Sequence, residues 1–396
     1  MAKQQRAPEK RPRELLRVDL REEYRHLYFN GWEGRDLPAQ HRFVPAPKGT
    51  VRMNFTTPAP HVRGADLVLD SEDGGANWHR AEGWHPPQDR GIYELGPLRM
   101  ALHRAGTVAW VSHDAGRHWY ERKVPHADEM LYAGLGTPNC FSAIMVESGN
   151  FSGRIVMVAS YFTGLEGPDC EIMASTYSDD WGGSWHCSRL FGPTEPLAHS
   201  FEGFGEPAVV QLPNSWLWMV FRTEYGELWQ AQSRDWGASW SPPTPTGFAS
   251  PIANCYAVRE PTTGATVLCW NMTKPGIDPE FRAKHSAYRP RTNLVFAVSH
   301  DNTRTWTVPV VVEGGQGQYP TIAFAAGRMF IAYQKSPGEE PCPWHKMGLE
   351  LVAYETAEVL SLPAWTVEDL QPLMERGLIA HWRAFACRAP SRETIS

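Results

Sequence analysis

The sequence predicts an all-β protein, a six-bladed β-propeller of four-stranded antiparallel blades with a short C-terminal helical tail. The first observation is composition: the 396 residues include 34 glycines, 33 prolines and 17 tryptophans, but only 21% are charged. This balance is typical of many short strands joined by tight turns, with aromatic rings packed between them. The second observation is an eight-residue pattern that recurs five times, and the third is the spacing of its copies.

The repeated pattern is Ser, any residue, Asp, any residue, Gly, any residue, a Thr/Ser-like residue and Trp. Its copies are SEDGGANW at 71, SHDAGRHW at 112, SDDWGGSW at 178, SRDWGASW at 233 and SHDNTRTW at 299. We interpret each as a tight turn between antiparallel strands, in which Asp and Ser oxygens accept hydrogen bonds and Trp packs back on the strands. Thr303 replaces Gly in the fifth copy, where we expect strain or another type of turn.

The aspartates of successive copies stand 41, 66, 55 and 66 residues apart, a spacing that suits four-stranded sheets with variable loops. A single sheet of this kind cannot bury both faces, so we expect the units to pack radially as one domain over residues 29–355. The six units are predicted at 40–78, 90–119, 137–185, 203–240, 250–306 and 316–355.

The two ends of the chain are expected to differ from the repeated region. Residues 1–28 are predicted to form a basic, partly disordered extension, in which 14–28 could be a helix or an outer strand. Residues 356–396 are predicted to form a helical tail that packs on the propeller, with a possible cap at Thr366.

Charge and hydropathy exclude several classes of function. The formal charge of -6 argues against nucleic acid as a partner. No stretch approaches the roughly 18 to 20 apolar residues of a membrane helix, so no membrane association is expected. The first residues lack the apolar segment of a secretory signal, which favours a cytoplasmic location. The seven cysteines are scattered without a CxxC pair, so we expect neither disulfides nor a metal. The sequence has no phosphate loop, no GxGxxG after a strand and no HExxH, and we expect no cofactor.

Five copies of this pattern on a six-unit all-β chain resemble the sialidase (neuraminidase) superfamily with its Asp-box, or BNR, repeats. The resemblance covers about residues 40–355. In that family the Asp-boxes lie at the outer rim, away from the active site, so the box aspartates are interpreted as structural. The resemblance implies a site at one mouth of the central channel. There, three arginines hold the substrate carboxylate, a Tyr paired with a Glu attacks the anomeric carbon, and an Asp is the acid/base.

Three segments match the family's pattern, in the family's order. In GEPAVVQL and the following MVFRTEYG, the resemblance makes Glu206 the partner of the nucleophilic Tyr and Arg222 one arginine of the carboxylate clamp. In YRPRTNLVFAVSHD it assigns a second clamp arginine to Arg291, with Arg289 as the alternative. In GGQGQYPTIAF it makes Tyr319 the nucleophile. Each of these residues could instead be an ordinary strand-end or channel-filling side chain.

The first clamp arginine has a less definite match. The family's Arg-Ile-Pro-like strand is approximated only by HRFVPA, which makes Arg42 the candidate and Arg52 the alternative. Arginine suits such a clamp because its planar guanidinium binds a carboxylate through two parallel hydrogen bonds.

The acid/base residue is the largest departure from the family's pattern. An Asp is expected between the first clamp arginine and the first box, where the sequence offers only Asp66 and Asp70, in or beside the strand that enters the box. His61 lies nearer the expected loop, and an imidazole can act as acid or base near neutral pH. Asp169, in the loop EGPDCEIM, is the other candidate.

The resemblance therefore implies an exo-α-sialidase-like retaining glycoside hydrolase that acts on sialic acid or a related acidic sugar or oligosaccharide. Two alternatives stay open. The same site could catalyse β-elimination on uronic-acid glycans, as a polysaccharide lyase does, or the propeller could be a non-catalytic module that binds glycans or proteins. The sequence does not indicate an oligomeric state.

Overall fold

The structure is a computed structural model that describes residues 11–20, 40–44, 46, 48–56, 67–81, 95, 102–105, 108–114, 118–123, 139–162, 171–189, 203–223, 225–273, 291–336, 348–364, 371 and 375. Within these ranges the chain is mostly β-structure. The strands are β1 (Glu14–Asp19), β2 (Gln40–Phe43), β3 (Val51–Thr56), β4 (Leu67–Ser71), β5 (His79–Arg80), β6 (Leu102–Ala105), β7 (Val108–Val111), β8 (Tyr120–Lys123), β9 (Asn139–Met145), β10 (Ile155–Phe162), β11 (Glu171–Ser178), β12 (His186–Cys187), β13 (Phe204–Gln211), β14 (Leu217–Thr223), β15 (Glu227–Ser233), β16 (Thr244–Ala249), β17 (Tyr256–Arg259), β18 (Thr266–Asn271), β19 (Thr292–Ser299), β20 (Val310–Ala325), β21 (Arg328–Lys335) and β22 (Gly348–Glu355).

The described strands form five antiparallel sheets that follow one another along the chain. The orders are β2-β3-β4-β5, β6-β7-β8, β12-β11-β10-β9, β13-β14-β15-β16 and β1-β22-β21-β20-β19-β18-β17. In the seven-stranded sheet, the first part of β20 pairs with β19 and the second part with β21, so this long strand joins two groups of four. The prediction of short antiparallel sheets is confirmed, whereas six blades closed into a ring stay a prediction.

The first strand of the chain pairs with the last. β1 lies antiparallel to β22, with Arg17 opposite Val352, so residues 14–19 form the outer strand rather than a helix. The boundary predicted at residue 29 therefore does not separate this strand from the sheets. Leu20, which follows β1, is fully buried. The remainder of the predicted division into an extension, a propeller and a tail stays a prediction.

Charged and phenolic side chains link β1 with the strands β20, β21 and β22 of the same sheet. Nη1 of Arg17 donates to the Tyr333 hydroxyl at 2.8 Å, and the same guanidinium contacts Glu350. Nζ of Lys335 lies 2.9 Å from a carboxylate oxygen of both Glu313 and Glu350. Burial, followed by the hydrogen bond to Glu350, raises the pKa of the Tyr333 phenol, which therefore stays protonated.

The described C-terminal part contains a short helix, α1 (Thr356–Leu360), which follows β22 directly. Val359 is buried and belongs to the apolar cluster between α1 and the last strands. Most of the predicted helical tail, including Thr366, lies outside the described residues. In the ranges that the structure describes, no helix has the length and apolarity needed to cross a membrane.

The Asp-boxes adopt the turn that the sequence predicts. In the first box, Ser71 Oγ donates to Asp73 at 2.9 Å, and the Asn77 N–H donates to the same carboxylate oxygen at 3.0 Å. The other four aspartates accept a serine hydroxyl at 2.8 to 3.0 Å and a backbone N–H at 2.7 to 2.9 Å in the same way. The hydrogen bonds from Asn77 lower the pKa of Asp73 to about 2. These carboxylates are engaged in closing turns.

The fifth box keeps the same turn under strain. Asn302 and Thr303 have φ of 60° and 65°, in the left-handed region, and the Thr303 N–H donates to Ser299 Oγ at 3.0 Å. In the third and fourth boxes this position is occupied by Gly182 and Gly237, with φ of 83° and 90°. Of the two expectations for Thr303, strain and a different turn, the structure therefore shows strain, of about 1–2 kcal/mol for a left-handed L-residue.

The Asp-box turns pack against neighbouring sheets. Ser175 Oγ, in β11, donates to the Gly237 carbonyl in the fourth box at 2.5 Å. Asn214, in the β13–β14 turn, donates its N–H to Asn302 Oδ1 in the fifth box at 3.2 Å. Nη1 of Arg328 reaches the Gly74 carbonyl in the first box at 2.9 Å. The box ends of neighbouring sheets consequently lie on one common side.

Apolar clusters fill the space between the sheets. The cluster between β13–β16 and β17–β20 contains the predicted aromatic contacts: the ring centroids of Phe248 and Trp270 are 4.6 Å apart, and those of Trp218 and Trp306 are 5.7 Å apart. The first strands of successive sheets also contact one another, in the order β9, β13, β17, β20 and β2. β17 therefore lies between β13 and β20.

Candidate functional site

Glu206 and Tyr319 share an unusual backbone conformation. Their φ angles are 48° and 53°, and each residue directly precedes a proline. Each also lies at a bulge that interrupts strand pairing, in β13 and β20 respectively. A non-glycine residue in the left-handed region is strained, and such strain is concentrated at functional sites. Glu206 and Tyr319, which the sequence analysis named as site residues, therefore share one local backbone arrangement, a bulge with positive φ before a proline.

Glu206 forms a buried ion pair with Arg222. Nη1 of Arg222 lies 2.8 Å from Oε2 of Glu206, and the two side chains are only 8% and 7% exposed. Removal of either partner would leave an uncompensated charge in a poorly solvated place. Burial, and then the negative charge of Glu206, raise the pKa of the adjacent Cys255 thiol to about 12. Cys255 is therefore a protonated thiol and not a candidate nucleophile.

Tyr319 lies under the guanidinium of Arg291. The central carbon of that guanidinium is 5.2 Å from the centroid of the phenol ring, within the range of a cation–π interaction. Nη1 of Arg291 also donates to Gln318 Oε1 at 2.8 Å. Both Arg291 and Tyr319 are half-buried, so each keeps a surface that a ligand can reach.

Buried amides support the Arg291–Tyr319 pair. Nε2 of Gln318 donates to Gln334 Oε1 at 2.9 Å. Asn271 Nδ2 donates to the Gly317 carbonyl at 2.7 Å, and the Gly317 N–H donates to the Arg291 carbonyl at 2.9 Å. Sequence reasoning missed these amides, and the only signal for them is that polar residues stand at strand ends that are otherwise apolar.

Both pairs lie on the side opposite the Asp-boxes. Arg222 is the last residue but one of β14, whereas the fourth box begins at Ser233, which is opposite the start of β14. Arg291 precedes β19, whereas the fifth box begins at Ser299, at the end of that strand. β13 and β20, which carry Glu206 and Tyr319, both contact β17. In the described part of the chain, no hydrogen bond joins Glu206 to Tyr319.

Comparison with known proteins agrees with this architecture. A family model described as a BNR repeat-like domain matches residues 97–331. The chain belongs to this family. The prediction of a BNR-repeat protein is thereby confirmed. No curated protein sequence matches the chain significantly.

Solved structures extend the likeness of this BNR repeat-like chain. A protein of unknown function from Dyadobacter fermentans has a TM-score of 0.59 at 16% identity, over 88% of this chain and 100% of that one. A leech intramolecular trans-sialidase, complexed with 2,7-anhydro-Neu5Ac, has a TM-score of 0.54 at 12% identity, over 82% and 68%. The intramolecular trans-sialidase of Ruminococcus gnavus has a TM-score of 0.53 at 12% identity, over 82% and 95%. At these identities the likeness shows a shared fold.

The remaining arginine candidates of this BNR repeat-like chain have different positions. Arg42 lies in β2, opposite Asn54, and β2 contacts β20. Arg52, its alternative, binds Asp70 through two short contacts, 2.5 Å from Nε to Oδ1 and 2.6 Å from Nη2 to Oδ2. This pair is buried next to the first Asp-box, on the side away from Tyr319, so neither Arg52 as a clamp nor Asp70 as an acid/base is supported.

The other candidates cannot be assigned a place. His61, Asp66, Asp169 and Arg289 lie outside the described residues. Across the described ranges, no group of three or more His, Cys, Asp or Glu side chains is arranged to hold a metal ion. In the described part of the chain, Cys187, Cys255 and Cys269 are not part of a disulfide.

Proposed function

We propose that this BNR repeat-like protein is a six-bladed β-propeller with exo-α-sialidase-like, retaining glycoside hydrolase activity on sialic acid or a related acidic sugar. One observation carries the proposal. Two arginine-containing pairs, Arg222 with Glu206 and Arg291 with Tyr319, lie at the same side of sheets whose first strands share β17 as a neighbour. Guanidinium groups beside a phenol and a carboxylate are the groups that such a reaction requires.

In the proposed reaction, Arg222, Arg291 and Arg42 bind the carboxylate of the sugar. The phenol oxygen of Tyr319 attacks the anomeric carbon while Glu206 accepts the phenol proton, and a covalent glycosyl-enzyme results. A neutral phenol suits this task because a carboxylate nucleophile would be repelled by the carboxylate of the sugar. Asp169 or His61 would protonate the leaving oxygen and then activate the water that releases the sugar.

The closure of six blades is part of the same proposal. The pairing of β1, which precedes the repeated region, with β22 at its end supports a closed ring. The contacts between successive first strands, from β9 to β2, support a central channel lined by them. A cytoplasmic location for the protein would make a free or imported small glycan the expected substrate.

The decisive experiment measures turnover of a fluorogenic sialoside by the full chain and by Tyr319→Phe. We expect removal of the nucleophilic oxygen to lower kcat by about a thousandfold or more, with the far-ultraviolet circular dichroism unchanged. Tyr120→Phe is the matched control, because Tyr120 is 50% exposed and adjoins the second Asp-box. Equal turnover by wild type and Tyr319→Phe would remove Tyr319 from the mechanism.

The same assay separates the alternatives when it includes uronic-acid oligosaccharides. A lyase would release a product that absorbs ultraviolet light, because β-elimination leaves a double bond. A binding module would retain an acidic sugar without turnover, and Tyr319→Phe would not change that binding. Each of these outcomes replaces the hydrolase proposal with a different one.

A further inference from the structure

We propose that Gln318, held by Gln334, positions the guanidinium of Arg291 and leaves its positive charge available for the anionic group of the ligand. The inference rests on the proposed function, since it assumes that the ligand carries an anion. It makes Gln318 a positioning residue, which acts through Arg291 and does not itself react.

The contacts of Arg291 support this role. Among the described residues, the side-chain partners of its guanidinium are an amide oxygen, Gln318 Oε1 at 2.8 Å, and the face of the Tyr319 ring. Both partners are uncharged, so they fix the direction of the guanidinium without neutralising it. A half-buried cation held in this way keeps its donors for a carboxylate, which forms stronger, charge-assisted hydrogen bonds.

Gln318 is itself fixed in place. Its amide nitrogen donates to Gln334 Oε1 at 2.9 Å, and the two side chains belong to residues that are only 4% and 5% exposed. A buried amide that loses its partner is destabilised by the desolvation of the unpaired group. The relay from Gln334 through Gln318 therefore restricts Arg291 to one orientation, which lowers the entropy lost when a ligand binds.

The sheet that contains Glu206 has a charged arginine at the position where the sheet that contains Tyr319 has a glutamine. Across the bulge of β13, Gly205 is opposite Arg222, and across the bulge of β20, Gln318 is opposite Gln334. Gln334 thus occupies the position that Arg222 has beside Glu206. Arg222 is compensated by a carboxylate at 2.8 Å, whereas the relay next to Arg291 consists of amides. The two arginines are therefore unequal, and Arg291 is the stronger anchor for an anion.

The test compares a change of charge with a change of position at Gln318. Calorimetry would measure the binding of N-acetylneuraminic acid, of its uncharged methyl ester and of a glucuronic-acid oligosaccharide to the full chain and its variants. Gln318→Glu keeps an oxygen beside Arg291 but adds a compensating charge, so we expect the acids to bind roughly tenfold to a hundredfold more weakly. Binding of the ester should change less than threefold.

Gln318→Met removes the hydrogen bond without adding charge. We expect it to weaken acid binding by about threefold to tenfold, because Arg291 loses its fixed orientation. Gln232→Glu is the control for added charge, since Gln232 is half-buried in β15 next to the fourth Asp-box. That variant should bind the acids as wild type does. Gln334→Met gives a second measurement, with an effect in the same direction, should Gln318→Met fail to fold.

The outcomes separate the two proposals. Wild type that binds neither acid would overturn the proposed function and, with it, the anchor role of Arg291. Tight acid binding by wild type with equal binding by Gln318→Glu would leave the proposed function standing and overturn the relay. Equal weakening of acid and ester binding by Gln318→Glu would also overturn it, because the effect would then be steric.

Discussion

The two ends of the sheets contrast in how they use carboxylates. At the Asp-box end, one turn recurs five times, and the third-position aspartate of each box accepts a serine hydroxyl and a backbone N–H of its own turn. At the opposite end, the corresponding residues differ from sheet to sheet, and Glu206 pairs across strands with Arg222. Repetition therefore marks the end that stabilises the fold, and variation marks the end where chemistry is expected.

The two ends also place strain differently. At the box end, the left-handed positions of the third and fourth boxes are followed by glycines, which adopt positive φ easily. At the other end, Glu206 and Tyr319 adopt positive φ without that freedom. Non-glycine residues with positive φ therefore occur at both ends, Trp181 and Trp236 among them at the box end. They differ in the residue that follows, which is glycine in these two boxes and proline after Glu206 and Tyr319.

The largest expected effect on stability is at the site end. Arg222→Ala should lower the free energy of unfolding by about 3–5 kcal/mol, because Glu206 is left as a buried charge without its partner. Urea denaturation would measure it, with Arg234→Ala as the control, since Arg234 is an exposed side chain stacked 4.2 Å over Trp216. The double variant Arg222→Met with Glu206→Gln should recover most of the loss. A loss below about 1 kcal/mol for Arg222→Ala would contradict the buried ion pair.

An intermediate effect is expected at the box end. Gly182 has φ of 83°, and a Cβ there would lie 2.9 Å from Val111 Cγ2. Gly182→Ala should therefore lower the free energy of unfolding by about 2–4 kcal/mol, from the left-handed conformation and the overlap together. Gly327→Ala is the matched control, because its φ is 76° but no atom lies within 4 Å of the added Cβ. Equal losses in the two variants would show that packing between sheets adds nothing at this end.

The smallest expected effect is a gain in stability. Thr303→Gly relieves the left-handed threonine of the fifth box, and we expect the protein to become more stable by up to about 1 kcal/mol, after the entropy of glycine is subtracted. The gain is reduced further by loss of the hydrogen bond from Thr303 Oγ1 to the Asn302 carbonyl, at 2.6 Å. Thr303→Ala keeps a Cβ and should show no gain. Thermal unfolding of both variants would measure the difference, and a destabilised Thr303→Gly would mean that this turn tolerates threonine without strain.

The sequence predicted more of the fold than of the candidate site. The Asp-box turns could be predicted because each is a local device of eight residues whose hydrogen bonds all lie within the repeat. The choice of Glu206, Arg222, Arg291 and Tyr319 came from matching segments, which paired Glu206 with Tyr319. The structure instead pairs Glu206 with Arg222 and Tyr319 with Arg291, and the roles of the four residues stay predictions. The ion pair of Arg52 with Asp70 was not predicted, because nothing local in TVRMNF reveals that Asp70 stands opposite on the next strand.

By itself, the sequence determined the antiparallel sheets, their order along the chain and the turns that close them, because those features depend on residues a few positions apart. Only the tertiary structure decided that β1 joins β22, that Arg222 meets Glu206, and that Gln318 and Gln334 hold Arg291. These contacts depend on strand register, which shifts at the bulges before Pro207 and Pro320, and on pairings between residues up to several hundred positions apart. Hydrogen bonds and ion pairs of this kind are fixed when whole sheets pack together, so no local pattern records them.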